Sequence, residues 1–361
     1  MPALTFESYV FDPRPDFPLL LTAKRYWDPS FPHVNDPEAL TLIFAHGTSF
    51  HKEIYEPTIE DLYTLLDDTQ GLRPKIREAW SIDCPNHGDA ALLNEETLRW
   101  GYEPIFGWQE YARGIHAFLC GLGTGADVDF RTRRLVFIGH SFSAVALVFA
   151  LTYQPAIKPE RFILLEIMCL RPSAVAKLMK FLTDGSESRR DVWSSREDAY
   201  MSFKTRQPWK GWDDRVLRKY VEHALTALPS LEYPDKEGVT LKCTRRQETA
   251  VYRDTLASSV VYRMMSSIVK RVPTHLIYGG LADYLPRDVQ DEFLRDGVGG
   301  EQNLASLTRI PNAGHLVRSP ACRLGSLMSP ILLQAAQTHP AEFAQIIFDI
   351  LGKSKSPVAR L

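Results

Sequence analysis

The chain has 361 residues, 45% of them apolar and 24% charged, with a formal net charge of −2. This is ordinary globular composition, which excludes long disorder and fibrous repeats, and the scattered, nearly balanced charge excludes a phosphate-backbone binder; no nucleic-acid partner is expected. No uncharged apolar run is long enough to cross a bilayer, and the opening MPALTFESYVFDPRPDF lacks a basic start and an apolar stretch, so a soluble protein inside the cell is expected.

Taken in chain order, LTLIFAHGT from Leu40 is a short apolar run stopped by His-Gly, the pattern of a buried parallel strand. REAWSIDCPNHGD repeats it, with a strand ending near Asp83 and a turn-rich loop after it. RRLVFIGHS, RFILLEIM and VPTHLIYGG give three more strands. WQEYARGIHAFLCGL and SAVALVFALTY carry apolar residues at helical spacing between strands. Strand and helix in alternation predict right-handed crossovers and a doubly wound, mostly parallel sheet. Between Arg171 and about Arg271 strand-like runs largely stop and charge-laced amphipathic helices take over, which predicts an inserted helical cap. DVWSSREDAYMSF carries a capping box, Ser194 with Glu197, and DDRVLRKYVEHALTAL opens with acids and continues with Val216, Tyr220 and Ala224 on one side. The expected division is therefore a core in two parts, 1–170 and 272–352, a cap over 171–271 and a flexible tail over 353–361.

Five cysteines, Cys84, Cys120, Cys169, Cys243 and Cys322, stand far apart without C-x-x-C or metal-ligand spacing. Reduced, packed thiols are expected, Cys169 being the one near a candidate acid. Neither a metal nor an organic cofactor is called for.

The chemistry is carried by Gly139-His140-Ser141-Phe142-Ser143, set between the strand RRLVFI and the helix AVALVFALTY. This is a nucleophile elbow in its proper context: a strained strand-to-helix turn lifts a serine hydroxyl out of the sheet, and the positions two before and two after it must be small. Position 143 is Ser where the pattern has Gly. Ser141 then stands at the amino end of a helix, where the Phe142 N–H is a natural oxyanion donor. The second donor is expected from the loop after the first core strand, at the Thr48 N–H, with His46 orienting that loop. A base must come late in the chain, and Pro311-Asn312-Ala313-Gly314-His315 supplies it after the strand-like LASLTRI. Two strand ends offer the third member, Glu166 after RFILL and Asp283 after THLIYGGLA. Spacing does not decide between them, although the acid most often follows the later strand, which favours Asp283.

The stretches HGTSFHKEIYEP, GHSFS, FILLEIMCLRP, DVWSSREDA and IPNAGHLV span most of the chain, and together they resemble the fungal peroxisomal α/β-hydrolases of specialised metabolism. That group includes toxin-pathway hydrolases and the acyl-CoA hydrolases of mycophenolic acid biosynthesis. The resemblance implies the α/β-hydrolase fold, and it implies Glu166 as the triad acid, with Asp283 the alternative. Ser143 and Ile167 depart from the group's pattern, which has glycine and proline there. The ending Ala359-Arg360-Leu361 follows the small, basic, leucine form of a peroxisomal address, so an import receptor is an expected partner and the peroxisome, or else the cytoplasm, the expected location.

The expected activity is serine hydrolysis of an acyl thioester, acyl-CoA above all, or of an ester, through an acyl-enzyme on Ser141. Carboxylic ester or lipid hydrolysis, acyl transfer or cyclisation on the same triad, and a catalytically silent binding protein are the competing readings. Lys204, Arg206 and Lys210 are cap cations able to meet CoA phosphates or simply to form a solvated face.

Overall fold

The computed structural model describes residues 4–31, 33–69, 74–206, 209–281, 285–314 and 335–353. Its strands are β1 (Thr5–Phe11), β2 (Leu21–Trp27), β3 (Leu40–Ala45), β4 (Ile76–Ile82), β5 (Arg134–His140), β6 (Arg161–Leu165), β7 (Val192–Trp193), β8 (Leu225–Ala227), β9 (Val239–Leu241), β10 (Thr274–Leu281) and β11 (Ser306–Gly314). The helices are α1 (Glu56–Asp68), α2 (Gly88–Leu93), α3 (Glu95–Gly101), α4 (Trp108–Leu119), α5 (Phe142–Phe149), α6 (Pro172–Ser188), α7 (Arg196–Thr205), α8 (Asp214–His223), α9 (Arg245–Tyr252), α10 (Ala257–Ile268), α11 (Arg287–Glu292), α12 (Ala335–Thr338) and α13 (Pro340–Gly352).

Eight strands form one sheet in the order β1-β2-β4-β3-β5-β6-β10-β11. From β4 to β11 every neighbouring pair is parallel, while β1 and β2 enter antiparallel at one edge. The middle strands are apolar on both faces because helices cover both. Along β5, Val136 and Ile138 join Leu62, Leu66, Phe343 and Ile347 of α1 and α13 in one core cluster. Leu135 and Phe137, one residue out of phase, join Tyr111, Ile115, Leu147, Val261 and Met265 of α4, α5 and α10 in the other. Each fully buried Phe, Leu or Ile of this kind contributes roughly 1.5–3 kcal/mol, so the two faces together fix the sheet's register. The β1–β2 edge had no clear signal in the sequence. TFESYVF and LTAKRYW mix apolar with polar residues without a clear period, and Lys24 of β2 pairs with Glu56 of α1, Nζ lying 2.7 Å from Oε1.

The chain runs from β3 outward to β4 and then returns to lay β5 on the opposite side of β3. The carboxyl ends of β3 and β5 therefore flank a topological switch point, where the connections diverge and leave a crevice.

Between β6 and β10 the chain forms α6 to α10 and a second, antiparallel sheet ordered β7-β9-β8. The helical character expected there is present, but the small sheet differs from expectation: its strands have two or three residues, too short for a period. α8 also ends at His223 rather than running through LTAL, because Leu225–Ala227 pairs with Val239–Leu241. The cap of α7 sits one residue later than the expected box. Ser195 Oγ accepts from the Asp198 N–H at 3.0 Å, and Asp198 accepts in return from the Ser194 N–H at 3.3 Å. With two adjacent serines, the one whose partner lies three residues into the helix wins.

Candidate active site

At the end of β5 the backbone turns through Ser141, whose φ is 60° and ψ −124°, and continues directly into α5. A serine rarely adopts that conformation, and its presence here marks a turn imposed by the strand before and the helix after. A Cβ on Gly139 would stand 2.7 Å from Ala144 Cα, which is backbone and has no room to yield. Position 143 bears more than small size. The Ser143 hydroxyl accepts from the His140 N–H at 3.0 Å and lies 2.7 Å from the Ala45 carbonyl and 2.8 Å from that of His140. The extra hydroxymethyl group thus ties the elbow to the end of β3. Phe142 is the first helical residue, so its N–H has no acceptor within the helix.

After β3 comes the loop His46 to Phe50. His46 Nε2 accepts from the Cys84 N–H at 3.0 Å and its Nδ1 lies 2.8 Å from the Gly47 carbonyl, a pairing that fixes the neutral Nδ1–H tautomer. Burial lowers its pKa to about 4, against the pull of Asp83. A ring satisfied at both nitrogens is a structural clasp, and it holds the loop carrying Thr48, itself buried. Among the described residues the Thr48 N–H has no hydrogen-bond acceptor. The next residue, Ser49, has φ 73° and donates its N–H to His87 Nε2 at 3.0 Å.

Glu166 directly follows β6 with φ 48°, another non-glycine residue in the left-handed region, and its carboxylate accepts from the Gly279 N–H. Its own N–H donates to the Ile277 carbonyl at 2.8 Å, and the Ser141 N–H donates to that of Leu165 at 3.0 Å, so the elbow and the acid stand on adjacent strand ends. A Cβ on Gly279 would lie 2.6 Å from the Ala313 carbonyl and 3.1 Å from Glu166 Oε1. β11 ends beside β10, Gly314 opposite Leu281. The described part of β11 stops one residue before His315, and its Ala313 carbonyl flanks the same Gly279 whose N–H donates to the Glu166 carboxylate. His315, Asp283 and the tail residues Ala359, Arg360 and Leu361 lie outside the described residues.

The run Lys52-Glu53-Ile54-Tyr55-Glu56 forms a buried polar scaffold beneath the loop. Lys52 Nζ lies 2.9 Å from Glu53, 3.0 Å from Asp83 and 2.6 Å from Asp89. Although burial opposes it, these carboxylates hold the ammonium above its usual range. Tyr55 donates to the Ala45 carbonyl at 3.0 Å, and Glu56 holds Lys24 and, on α8, Lys219, each at 2.7 Å. Above the loop, Phe50 packs against Trp212 at a tilt and against Tyr220 edge-on, with ring centroids 5.7 and 6.3 Å apart. The segment after β6 is thereby seated on the end of β3.

Cys169 is buried and its thiol is pushed up by burial, as in a packed small hydrophobe. Lys204 is engaged by Asp214 at 2.9 Å and by the Tyr200 hydroxyl at 2.8 Å, while Arg206 and Lys210 are exposed. Among the described residues no group of three His, Cys, Asp or Glu has metal-binding geometry, and no helix is long and apolar enough to cross a membrane.

Residues 42–321 match the model of the alpha/beta hydrolase family, and the chain belongs to that family. Over 237 residues, 64% of its length, it is 27% identical to the type I acyl-CoA thioesterase mpaH of Penicillium brevicompactum, and 26% identical to the protein of that name in Penicillium roqueforti. The chain spans about half the length of these curated relatives. Among solved structures it is similar in fold to the peroxisomal alpha-beta-hydrolase Lpx1 of Saccharomyces cerevisiae, with TM-score 0.64, 18% identity and coverage of 99% of this chain and 92% of that one. It is also similar to the thioesterase domain from the curacin biosynthetic pathway, with TM-score 0.59, 15% identity and coverage of 96% and 99%.

Proposed function

We propose that this chain is a serine hydrolase that cleaves an acyl thioester, with acyl-CoA as the substrate class, through a covalent acyl-enzyme on Ser141. The observation that carries the reading is the strained Ser141 turn at the switch point, flanked by the Thr48 loop and by Glu166, which is also at positive φ. In the proposed cycle Ser141 Oγ attacks the acyl carbonyl while His315 takes its proton, and Glu166 orients and stabilises the imidazole. The N–H groups of Thr48 and Phe142 hold the oxyanion. The leaving thiol departs with the proton from His315; water, deprotonated by the same ring, then releases the carboxylic acid and restores the serine.

Support for the thioester over an ordinary ester comes from the curated relatives, which are named acyl-CoA thioesterases. In this reading the segment 171–271 is the cap that encloses the acyl group, with the Phe50, Trp212 and Tyr220 cluster as its hinge on the core. The tail 353–361 carries the peroxisomal address at Ala359-Arg360-Leu361, a role in specialised metabolism goes with it, and a fluorescent fusion ending in ARL should collect in peroxisomes; a diffuse cytosolic signal contradicts this. The decisive test of function is a rate panel of acyl-CoA thioesters and p-nitrophenyl esters of matched acyl groups. Preference for thioesters, abolished by Ser141→Ala, is expected. Faster ester turnover overturns the thioester assignment, and turnover that survives Ser141→Ala overturns the nucleophile.

A further inference from the structure

Ser49 is the residue at which the loop after β3 meets the segment that follows β6. Its φ of 73° is one that side chains disfavour, so something outside the loop must hold it. Two side chains do. His87 Nε2 receives the Ser49 N–H at 3.0 Å, and its Nδ1 lies 2.7 Å from Asn86 Oδ1, which leaves the ring neutral with Nε2 as acceptor. The Ser49 hydroxyl donates to Glu248 Oε1. Glu248, on α9, is buried, and Arg189 just past α6 brings Nη1 to 3.0 Å from Oε1 and 2.8 Å from Oε2. A buried carboxylate and guanidinium cost desolvation that a well-packed apolar pair avoids, so packing alone does not account for them. What the pair supplies here is a carboxylate oxygen fixed in place for the Ser49 hydroxyl.

We propose that Ser49, Glu248 and Arg189 are a positioning network for the oxyanion hole, holding residue 49 at positive φ so that the preceding Thr48 N–H is aimed at the substrate on Ser141. Because Arg189 and Glu248 belong to the segment between β6 and β10, the hole is complete only when that segment is docked on the core. The inference rests on the serine mechanism proposed above.

Steady-state kinetics of the full chain on a p-nitrophenyl acyl ester test it, alongside inhibition by a trifluoromethyl ketone, which becomes an oxyanion when serine adds to it. Ser49→Ala removes the hydroxyl and leaves the ion pair intact; Glu248→Gln keeps the shape and removes the charge. Each should lower kcat by about tenfold or more with KM within about twofold, since one oxyanion donor is worth about 10²–10³ in kcat and here it is misaimed rather than deleted. Affinity for the ketone should fall in step with kcat/KM, and the double variant should be little worse than either single one. Should Glu248→Gln fail to fold with Arg189 stranded, Ser49→Ala decides alone. A kcat near wild type in Ser49→Ala, with turnover still dependent on Ser141, overturns this inference only. Turnover independent of Ser141 overturns the serine mechanism and the network together.

Discussion

Glu166 and Ser141 share an unusual property: both are non-glycine residues with positive φ at adjacent strand ends, at 48° and 60°. Strain of that kind costs on the order of 1–3 kcal/mol at each residue and persists only where the surroundings enforce it. For Glu166 the enforcing contact is the Gly279 N–H, which holds its carboxylate beside the end of β11. The account predicts that Glu166→Ala lowers kcat by about 10³-fold or more, as expected when the group orienting a catalytic imidazole is lost. Asp283→Ala should lower it far less; the reverse ranking, read by steady-state kinetics, reassigns the acid. The elbow was legible because its sterics are local: Gly139 is required by Ala144, five residues on, and the pattern says so. The choice of acid was not, since β6 and β10, which Glu166 and Asp283 follow, are neighbours in the sheet and local spacing does not rank them.

At the scale of elements, the buried run after β3 does the work of a scaffold. Lys52 joins the ends of β3 and β4 to the start of α2 through Asp83 and Asp89. Lys52→Met should therefore destabilise the fold by roughly 3–5 kcal/mol, because it leaves buried carboxylates without their cation. Urea unfolding checks this, and a loss under about 1 kcal/mol contradicts it. The sequence showed HKEIYEP to be distinctive but not why, because its partners Asp83, Asp89, Lys24 and Lys219 are scattered and carry no motif of their own. The parallel strands were legible from apolar runs that face helices on both sides. The small sheet of β7, β8 and β9 was not, as two or three residues such as Val192–Trp193 hold no periodicity.

For the whole molecule, buried and half-buried histidines, among them His46, His87, His223 and His275, set a pH dependence. Burial lowers His46, His223 and His275 to about 4, with Asp83 pulling the other way at His46, Glu53 doing so at His223, and Arg161 reinforcing the shift at His275. In the unfolded chain an imidazole takes up its proton near pH 6.5. Between about pH 6.5 and 4 the unfolded state therefore binds more protons, so stability is full above that window and is lost as pH falls through it. Urea midpoints should drop steadily from pH 7 to pH 4.5, whereas a flat profile contradicts neutral burial of these rings. With helices on both faces of the sheet, the candidate site draws on the ends of β3, β5 and β6 together, each brought to the same edge by a different crossover.

The central claim, that one serine on a strained turn is the nucleophile, is tested most directly by treating the native protein with a fluorophosphonate probe and locating the adduct by peptide mass spectrometry. A single adduct on Ser141, absent from Ser141→Ala and from chain unfolded in urea, is the predicted result. An unlabelled protein, or an adduct on any other residue, contradicts the account.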